Sequence, residues 1–334
     1  MKRRDHKKPD RLHDPFGRCI DYVRLSVTDR CNMRCFYCMP RGYRAFHEPR
    51  EWLSFAEIER IIRAFAELGA ARVRITGGEP LVRRELATLA AGLNAIPGID
   101  DLSLSTNASL LARQAGALRQ AGVRRINVSL DSLKPERFRR ITGGHLQAVL
   151  EGLEAAKKAG MAPIKINMLA MKDINDDEFD AMVAFCLEQG FTLRFIETMP
   201  MGSAGRTASA HYLDLRQVRR ALGRRFTLVP GVMPGGGPAH YVRVQGTDLN
   251  IGFISPLSQH FCERCNRVRL GADGTLYLCL GHQHRYELRP LLRQGASDEE
   301  LKAAIREALA LKPSRHLFEE KPEQVMRLMS VTGG

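Results

Sequence analysis

The chain has 334 residues, 44% hydrophobic and 26% charged, a balance that excludes wholesale disorder and allows about two domains. Its 51 Lys and Arg against 37 Asp and Glu leave a formal charge of +14, which points to a polyanionic partner, nucleic acid or a phosphate-rich small molecule. No apolar run reaches the length of a membrane span, and the start "MKRRDHKKPDRLHD" lacks the apolar core of a secretory signal, so the expected compartment is cytoplasmic and the eight cysteines are expected as thiols.

Residues 1–14 read as a basic flexible tail, since Lys2, Arg3, Arg4, Lys7, Lys8 and Arg11 follow no hydrophobic pattern. From 15 to 205, strand-like and helix-like segments alternate. Strands are expected at 22–27, 72–76, 102–106, 125–130, 163–169 and 192–197, each short, rich in Val, Ile and Leu, and bounded by turn residues. Helical patterns fall at 54–69, where Ser54 and Glu57 form a capping box, and near 84–94, 109–121, 146–159 and 176–189. Six β-α repeats in series predict parallel strands with crossover helices, hence a barrel or a doubly wound sheet. The small polar stretch "MGSAGRTASA" (201–210) reads as a linker or mobile loop. Residues 206–334 form a second region, with a helix near 212–223, a loop at "MPGGGP" and strands in "FTLVP", "YVRVQG", "LNIGFIS" and "TLYLCL".

Side chains two apart on a strand share a face. One face is polar in strand after strand: Arg24/Ser26/Thr28, Arg72/Arg74/Thr76, Ser103/Ser105, Asn127/Ser129 and Lys165/Asn167. The opposite face is apolar. If helices cover the apolar face, the polar one lines a wet interior, whereas a closed eight-stranded barrel fills that space with branched apolar side chains. Arg24, Arg74 and Lys165 make the expected occupant anionic.

Six cysteines fall in two groups, Cys31/Cys35/Cys38 and Cys262/Cys265/Cys279, while Cys186 sits in an apolar helical pattern as a buried thiol. Each group offers three thiolates and no fourth. A [4Fe–4S] cube on three cysteines keeps one iron open for a substrate or cofactor. A structural zinc would need a fourth ligand, for which His260, His282 or His284 are at hand beside the second group. Spacing alone leaves both readings open.

The segments "RLSVTDRCNMRCFYCMP", "RITGGEPLVRR", "RINVSLD", "IKIN", "RFIETMPMG" and "FCERCNRVRL…GTLYLCL" resemble the GTP 3′,8-cyclase family of the radical S-adenosylmethionine (SAM) superfamily. The resemblance runs from about residue 15 to the end. It implies an α/β fold, an incomplete TIM-like (βα)6 barrel at 15–205 with a C-terminal α+β region at 206–334 that carries a second cluster. It implies two [4Fe–4S] clusters, the first on Cys31, Cys35 and Cys38, with SAM on its open iron, and the second on Cys262, Cys265 and Cys279. SAM contacts carry over to Tyr37, Gly78, Ser129 and Met199. GTP contacts carry over to Arg24, Arg74, Ser105, Lys165, Arg267 and Arg269, of which Arg24, Arg267 and Arg269 are expected to be catalytic with the terminal Gly333 and Gly334. The implied reaction cleaves SAM to a 5′-deoxyadenosyl radical, takes hydrogen from C3′ of GTP and joins C3′ to C8, opening molybdenum cofactor biosynthesis.

The implied partners are GTP, an electron donor such as flavodoxin or ferredoxin, and cyclic pyranopterin monophosphate synthase as recipient of the product. No nucleic acid and no membrane partner is expected, and a homodimer is left open. The chain departs from the family pattern in "LSTNA" (104–108), where Ser105 stands for a threonine and Ala108 for a glycine. Two rival readings are a radical SAM enzyme that modifies a peptide, and a zinc-stabilised nucleic-acid-binding protein.

Overall fold

The computed structural model describes residues 11–40 and 42–333; most of the basic tail and Gly334 lie outside them. Within the stretch 11–14, Leu12 is buried and its N–H donates to the Leu68 carbonyl, and Asp14 pairs with Arg18.

Six parallel strands follow the β-α rhythm of the sequence: β1 (Tyr22–Ser26), β2 (Arg72–Thr76), β3 (Asp101–Thr106), β4 (Arg125–Ser129), β5 (Ile164–Leu169) and β6 (Thr192–Ile196). Between them run α1 (Phe55–Glu67), α2 (Leu86–Asn94), α3 (Ala115–Gln120), α4 (Pro135–Thr142), α5 (Leu146–Lys158) and α6 (Phe179–Gln189). The Ser54–Glu57 capping box is formed at the start of α1. Helix α4 has no counterpart among the sequence expectations; Pro135 at its first turn and Gly143 at φ +70° beyond its end mark it.

The stretch 201–210 is not a loop but largely helix α7 (Gly202–Ala208), half of it buried. Small residues allow the close approach: a Cβ on Gly205 would stand 2.5 Å from the Met199 carbonyl. Further on come α8 (Leu215–Gly223), β7 (Leu228–Gly231), β8 (His240–Val244), β9 (Asn250–Ile254), β10 (Arg267–Leu270), β11 (Thr275–Tyr277) and β12 (Arg285–Glu287), then α9 (Arg289–Arg293), α10 (Asp298–Ala310) and α11 (Met329–Thr332).

All twelve strands form one open sheet, in the order β12-β11-β10-β1-β2-β3-β4-β5-β6-β9-β8-β7. The C-terminal strands thus extend the six-stranded core at both edges, β10 parallel to β1 and β9 parallel to β6, with antiparallel pairs outside them. The core lies between sheet and helices, where Val23, Leu25, Val73, Ile75, Leu104, Val128 and Ile166 are fully buried. Their strand neighbours Arg24, Ser26, Thr76, Ser103, Asn127 and Lys165 face the other way and are buried too, which makes the inner wall polar. Among the described residues no helix is long and apolar enough to cross a membrane.

Candidate active site

The first cysteine loop leaves the end of β1 and is fastened on two sides. Arg34 N–H donates to the Thr142 carbonyl at 2.7 Å and Phe36 N–H to that of Ile141 at 3.1 Å, so the loop caps the last turn of α4. On the other side Gly78 N–H reaches the Thr28 carbonyl and Glu79 N–H that of Arg30, both at 2.8 Å. A Cβ on Gly77 would stand 2.5 Å from the Thr28 oxygen, and one on Gly78 2.4 Å from the Arg30 oxygen. The glycine pair therefore admits the cysteine loop itself against the β2 end. Glu79, pushed up to about 7 by burial, accepts from Leu81 N, Thr106 Oγ1 and Asn107 N and locks the β2 and β3 ends together.

Donors point at the sulfurs of this loop: Met33 N–H lies 3.3 Å from Cys31 Sγ, Asn107 Nδ2 3.9 Å from the same atom, and Ser330 N–H is directed at Cys38. Burial nevertheless pushes the thiols up, Cys31 to about 11, Cys38 to about 12 and Cys35 well above its ordinary value, so these donors offset only part of the cost of a thiolate, the form in which cysteines bind iron. Two buried carboxylates stand near the group, Glu79 acting on Cys31 and Asp131 on Cys35. Tyr37 donates its hydroxyl to Asp131 at 2.7 Å. Ser129 is exposed at the end of β4, opposite Asn167.

The sheet register gathers the cations. Arg24 on β1 stands opposite Arg74 on β2 and Arg269 on β10, a row of guanidinium groups across three adjacent strands. Among the described residues none of the three has a carboxylate partner, nor do Arg194, Arg267 or Lys165. Arg24 and Arg194 bury an Nε with no acceptor, and Asn167 an oxygen with no donor. Buried charges without partners are costly unless a ligand satisfies them. The costs show in the proton affinities. Burial, then Arg269 and Arg74, hold Arg24 well below its ordinary value; burial, then Arg267, bring Arg269 to about 9; burial, then Arg194, bring Lys165 to about 7.

Arg194 on β6 is the functional candidate that sequence reasoning missed. It lies buried between Asn127, to which it donates, and Gly252 on β9, where a Cβ would stand 3.0 Å from its Cγ. Its place in the polar alternation of "TLRFIE" was the available signal. Tyr22 and Asn167 join the same wall.

One cavity is lined by Arg24, Arg74, Ser105, Met199, Arg267 and Arg269 together with Cys262, Cys265 and Cys279. Lys165 lies outside that wall, its Nζ 5.7 Å from the Tyr241 ring centre, as do Tyr37, Gly78, Ser129 and the first cysteine group. Lys312, buried and without a carboxylate partner, sets its ammonium 3.9 Å from Cys265 Sγ and 3.0 Å from the Arg267 carbonyl. Burial alone would raise the Cys265 thiol, but Lys312 and Arg267 outweigh it and bring it to about 7. Arg18 donates to the carbonyls of Cys262, Pro313 and Ser314 and fixes the loop from behind.

Among the described residues no three His, Cys, Asp or Glu side chains converge as one metal ion requires. Thiolates on a single zinc lie roughly 3.8 Å apart, given ~2.3 Å bonds at tetrahedral angles. His260 instead contacts His316 and Glu319, and His282 packs against His284 with the rings tilted by 48°. The donor set of each group, three cysteines, is that of a [4Fe–4S] cluster with one open iron.

The C-terminal turn closes the arrangement. Arg269 Nη1 donates to the Gly333 carbonyl at 2.5 Å and to that of Thr332 at 3.3 Å. Gly333 has φ +72°, and a Cβ there would stand 2.3 Å from Thr76 Cγ2.

Residues 25–186 match the Radical SAM superfamily and residues 191–318 match Molybdenum Cofactor Synthesis C. The chain is 49% identical to the GTP 3′,8-cyclase of Paracoccus denitrificans (strain Pd 1222) over 331 residues, covering 97% of this chain and 96% of that one. It is 47% identical to the GTP 3′,8-cyclase of Hydrogenovibrio crunogenus (strain DSM 25203 / XCL-2), covering 97% and 99%. Among solved structures, Streptococcus suis SuiB bound to S-adenosylmethionine superposes with a TM-score of 0.60 at 17% identity, over 86% of this chain and 68% of that one, a likeness of fold alone. On the strength of both halves and of near-full-length relatives, the chain belongs to the GTP 3′,8-cyclase family of radical SAM enzymes.

Proposed function

We propose that the chain converts GTP to 3′,8-cyclo-7,8-dihydro-GTP, the opening step of molybdenum cofactor biosynthesis. The observation that carries this reading is the row Arg269–Arg24–Arg74, uncompensated by carboxylates among the described residues and set on the same cavity wall as Cys262, Cys265 and Cys279. A triphosphate answers that charge, because guanidinium forks pair with phosphate oxygens. A peptide substrate would leave most of it unanswered.

Membership in the family implies a [4Fe–4S] cluster and SAM. The residues that would hold that cluster are Cys31, Cys35 and Cys38, with Tyr37, Gly78, Ser129 and Met199 about SAM. When bound, cluster and SAM supply the hydrogen-abstracting radical chemistry that no side chain can. The second group, Cys262, Cys265 and Cys279, would hold another [4Fe–4S] cluster facing the guanine end of the substrate. Arg24, Arg74, Arg194, Arg267, Arg269, Lys165 and Ser105 bind and orient GTP, and Gly333 meets the substrate from the C-terminal turn; Gly334, expected to act with it, lies outside the described residues. In this reading residues 15–205 act as the SAM-cleaving partial barrel and 206–334 as the part that holds the second cluster. The chain works in the cytoplasm, receives electrons from a flavodoxin- or ferredoxin-like donor and passes its product to cyclic pyranopterin monophosphate synthase.

The test is an anaerobic assay of reconstituted protein with GTP, SAM and dithionite, following 5′-deoxyadenosine and nucleotides by mass spectrometry and counting iron. About eight irons per chain, four per cluster, and a GTP-dependent cyclised product support the reading. SAM cleavage with GTP untouched turns it toward a peptide substrate, and zinc in place of iron ends it.

A further inference from the structure

The row Arg269–Arg24–Arg74 faces the cavity, yet a second basic surface lies outside it, over the first cysteine loop. Arg34 on that loop and Lys134, Arg137, Arg139 and Arg140 on or beside α4 line one shallow concavity with Phe36, and Glu136 is the one carboxylate among its lining residues. Lys134 and Arg137 are engaged by Asp177 and Glu178. Arg34, Arg139 and Arg140 are exposed and make no ion pair among the described residues; Arg34 donates to the Cys31 and Met33 carbonyls, which leaves its charge uncompensated. The dipole of α4 favours Arg139 and Arg140 in its last turn. It does not account for Arg34, which comes from a different element and adds a third cation to the same face.

Loop and helix end are one rigid surface, because the loop's N–H groups occupy the carbonyls of Ile141 and Thr142. Cys31, Cys35 and Cys38 are half-buried, while Asn32 and Arg34 between them are exposed. An electron arriving from outside would therefore enter through the loop that carries both Arg34 and the three cysteines. A like-charged surface would repel an acidic carrier; this one attracts it and raises its local concentration.

We infer that the face formed by Arg34, Arg139, Arg140 and Phe36 is the docking site of an acidic protein that carries a low-potential one-electron group. The inference rests on the reading that Cys31, Cys35 and Cys38 hold the cluster to be reduced. In the docked complex the carrier loses one electron and the oxidised cluster gains it, with no group transferred.

The test compares full-length wild type with the double variant Arg139→Glu/Arg140→Glu, and with Arg219→Glu/Arg220→Glu on α8 as a charge-matched control. Binding of flavodoxin to each protein is measured by calorimetry, and 5′-deoxyadenosine formation is measured against flavodoxin hydroquinone concentration over a salt series, and separately with dithionite. The α4 variant is expected to need roughly ten-fold more flavodoxin for half-maximal rate and to lose most of the salt dependence. Its dithionite rate and that of the α8 control stay near wild type. An unchanged flavodoxin response, an equal loss with dithionite, or an equal loss in the α8 control overturns the inference. Loss of oligo(U) binding with unchanged flavodoxin kinetics assigns the face to nucleic acid and overturns it too. No SAM cleavage by wild type with dithionite overturns instead the underlying cluster assignment.

Discussion

Arg269 on β10 donates to the carbonyl oxygen of Gly333, 2.5 Å away, and so the strand that lines the cavity also holds the end of the chain. Gly333 adopts φ +72° with Thr76 where a Cβ would be. In Gly333→Ala the turn withdraws, at a cost of about 1–2 kcal/mol for the left-handed backbone plus the clash. Cyclised product is expected to fall roughly ten-fold or more, with iron content unchanged. Product yield equal to wild type would show that the turn has no part in turnover.

Arg24 is buried with an unbonded Nε between two other arginines. Replacing it by Met removes a charge that only a ligand satisfies. Ligand-free Arg24→Met is expected to melt a few degrees higher than wild type. Wild type gains about 2.7 kcal/mol at a GTP concentration one hundred times Kd, and the variant loses most of that gain. Calorimetry with and without GTP reads both effects, and a lower ligand-free Tm would contradict the first.

Lys165, brought to about 7 mainly by burial and then by Arg194, gives a pH dependence. Its folded value lies below the unfolded one of about 10.4. Below pH 7 both states hold the proton and the penalty of burying the ammonium is complete. Between about 7 and 10.4 the unfolded state binds more protons, so stability rises with pH through this window. GTP binding runs the opposite way, since neutral lysine attracts phosphate less. Lys165→Met should flatten both dependences; identical slopes in variant and wild type would remove Lys165 as their source.

Ala108 holds φ +60°, a conformation that favours glycine, and its methyl is fully buried. In Ala108→Gly the strain relieved, about 1–2 kcal/mol, is offset by the lost methyl, about 0.8 kcal/mol, and by the freer unfolded chain. A net change within about 1 kcal/mol is expected. Gly152→Ala is different, because its Cβ would stand 2.1 Å from the Ala108 carbonyl. A loss of about 1–3 kcal/mol is expected there, and urea denaturation separates the two variants.

The strands β1–β6 were legible to within a residue or so because alternation and turn residues agree along each of them. Both cysteine groups, Arg24 and Arg74 were legible for the same reason, since motif spacing and strand parity are properties of adjacent residues. What was not legible depends on partners distant in sequence. Nothing in "RVRL" says that it pairs in parallel with "YVRL" some 245 residues earlier, and that pairing is what aligns Arg269 with Arg24. Arg194 was missed because its meaning comes from Asn127 and Gly252 across the sheet. Helix α7 was read as a loop because small residues that signal a break in isolation here permit close packing.

The parallel pairing of β1 with β10 also governs how the chain can be made. At about 5–20 residues per second, the interval between Tyr22 and Arg267 leaves β1 with one bare edge for roughly 12 to 50 seconds on the ribosome, and the interval between Leu193 and Ile251 leaves β6 with one for roughly 3 to 12 seconds. Bare edges recruit other strands. Synthesis of this protein therefore passes through a sticky half-sheet, and its yield should depend on chaperones and on growth temperature more than its finished stability would suggest.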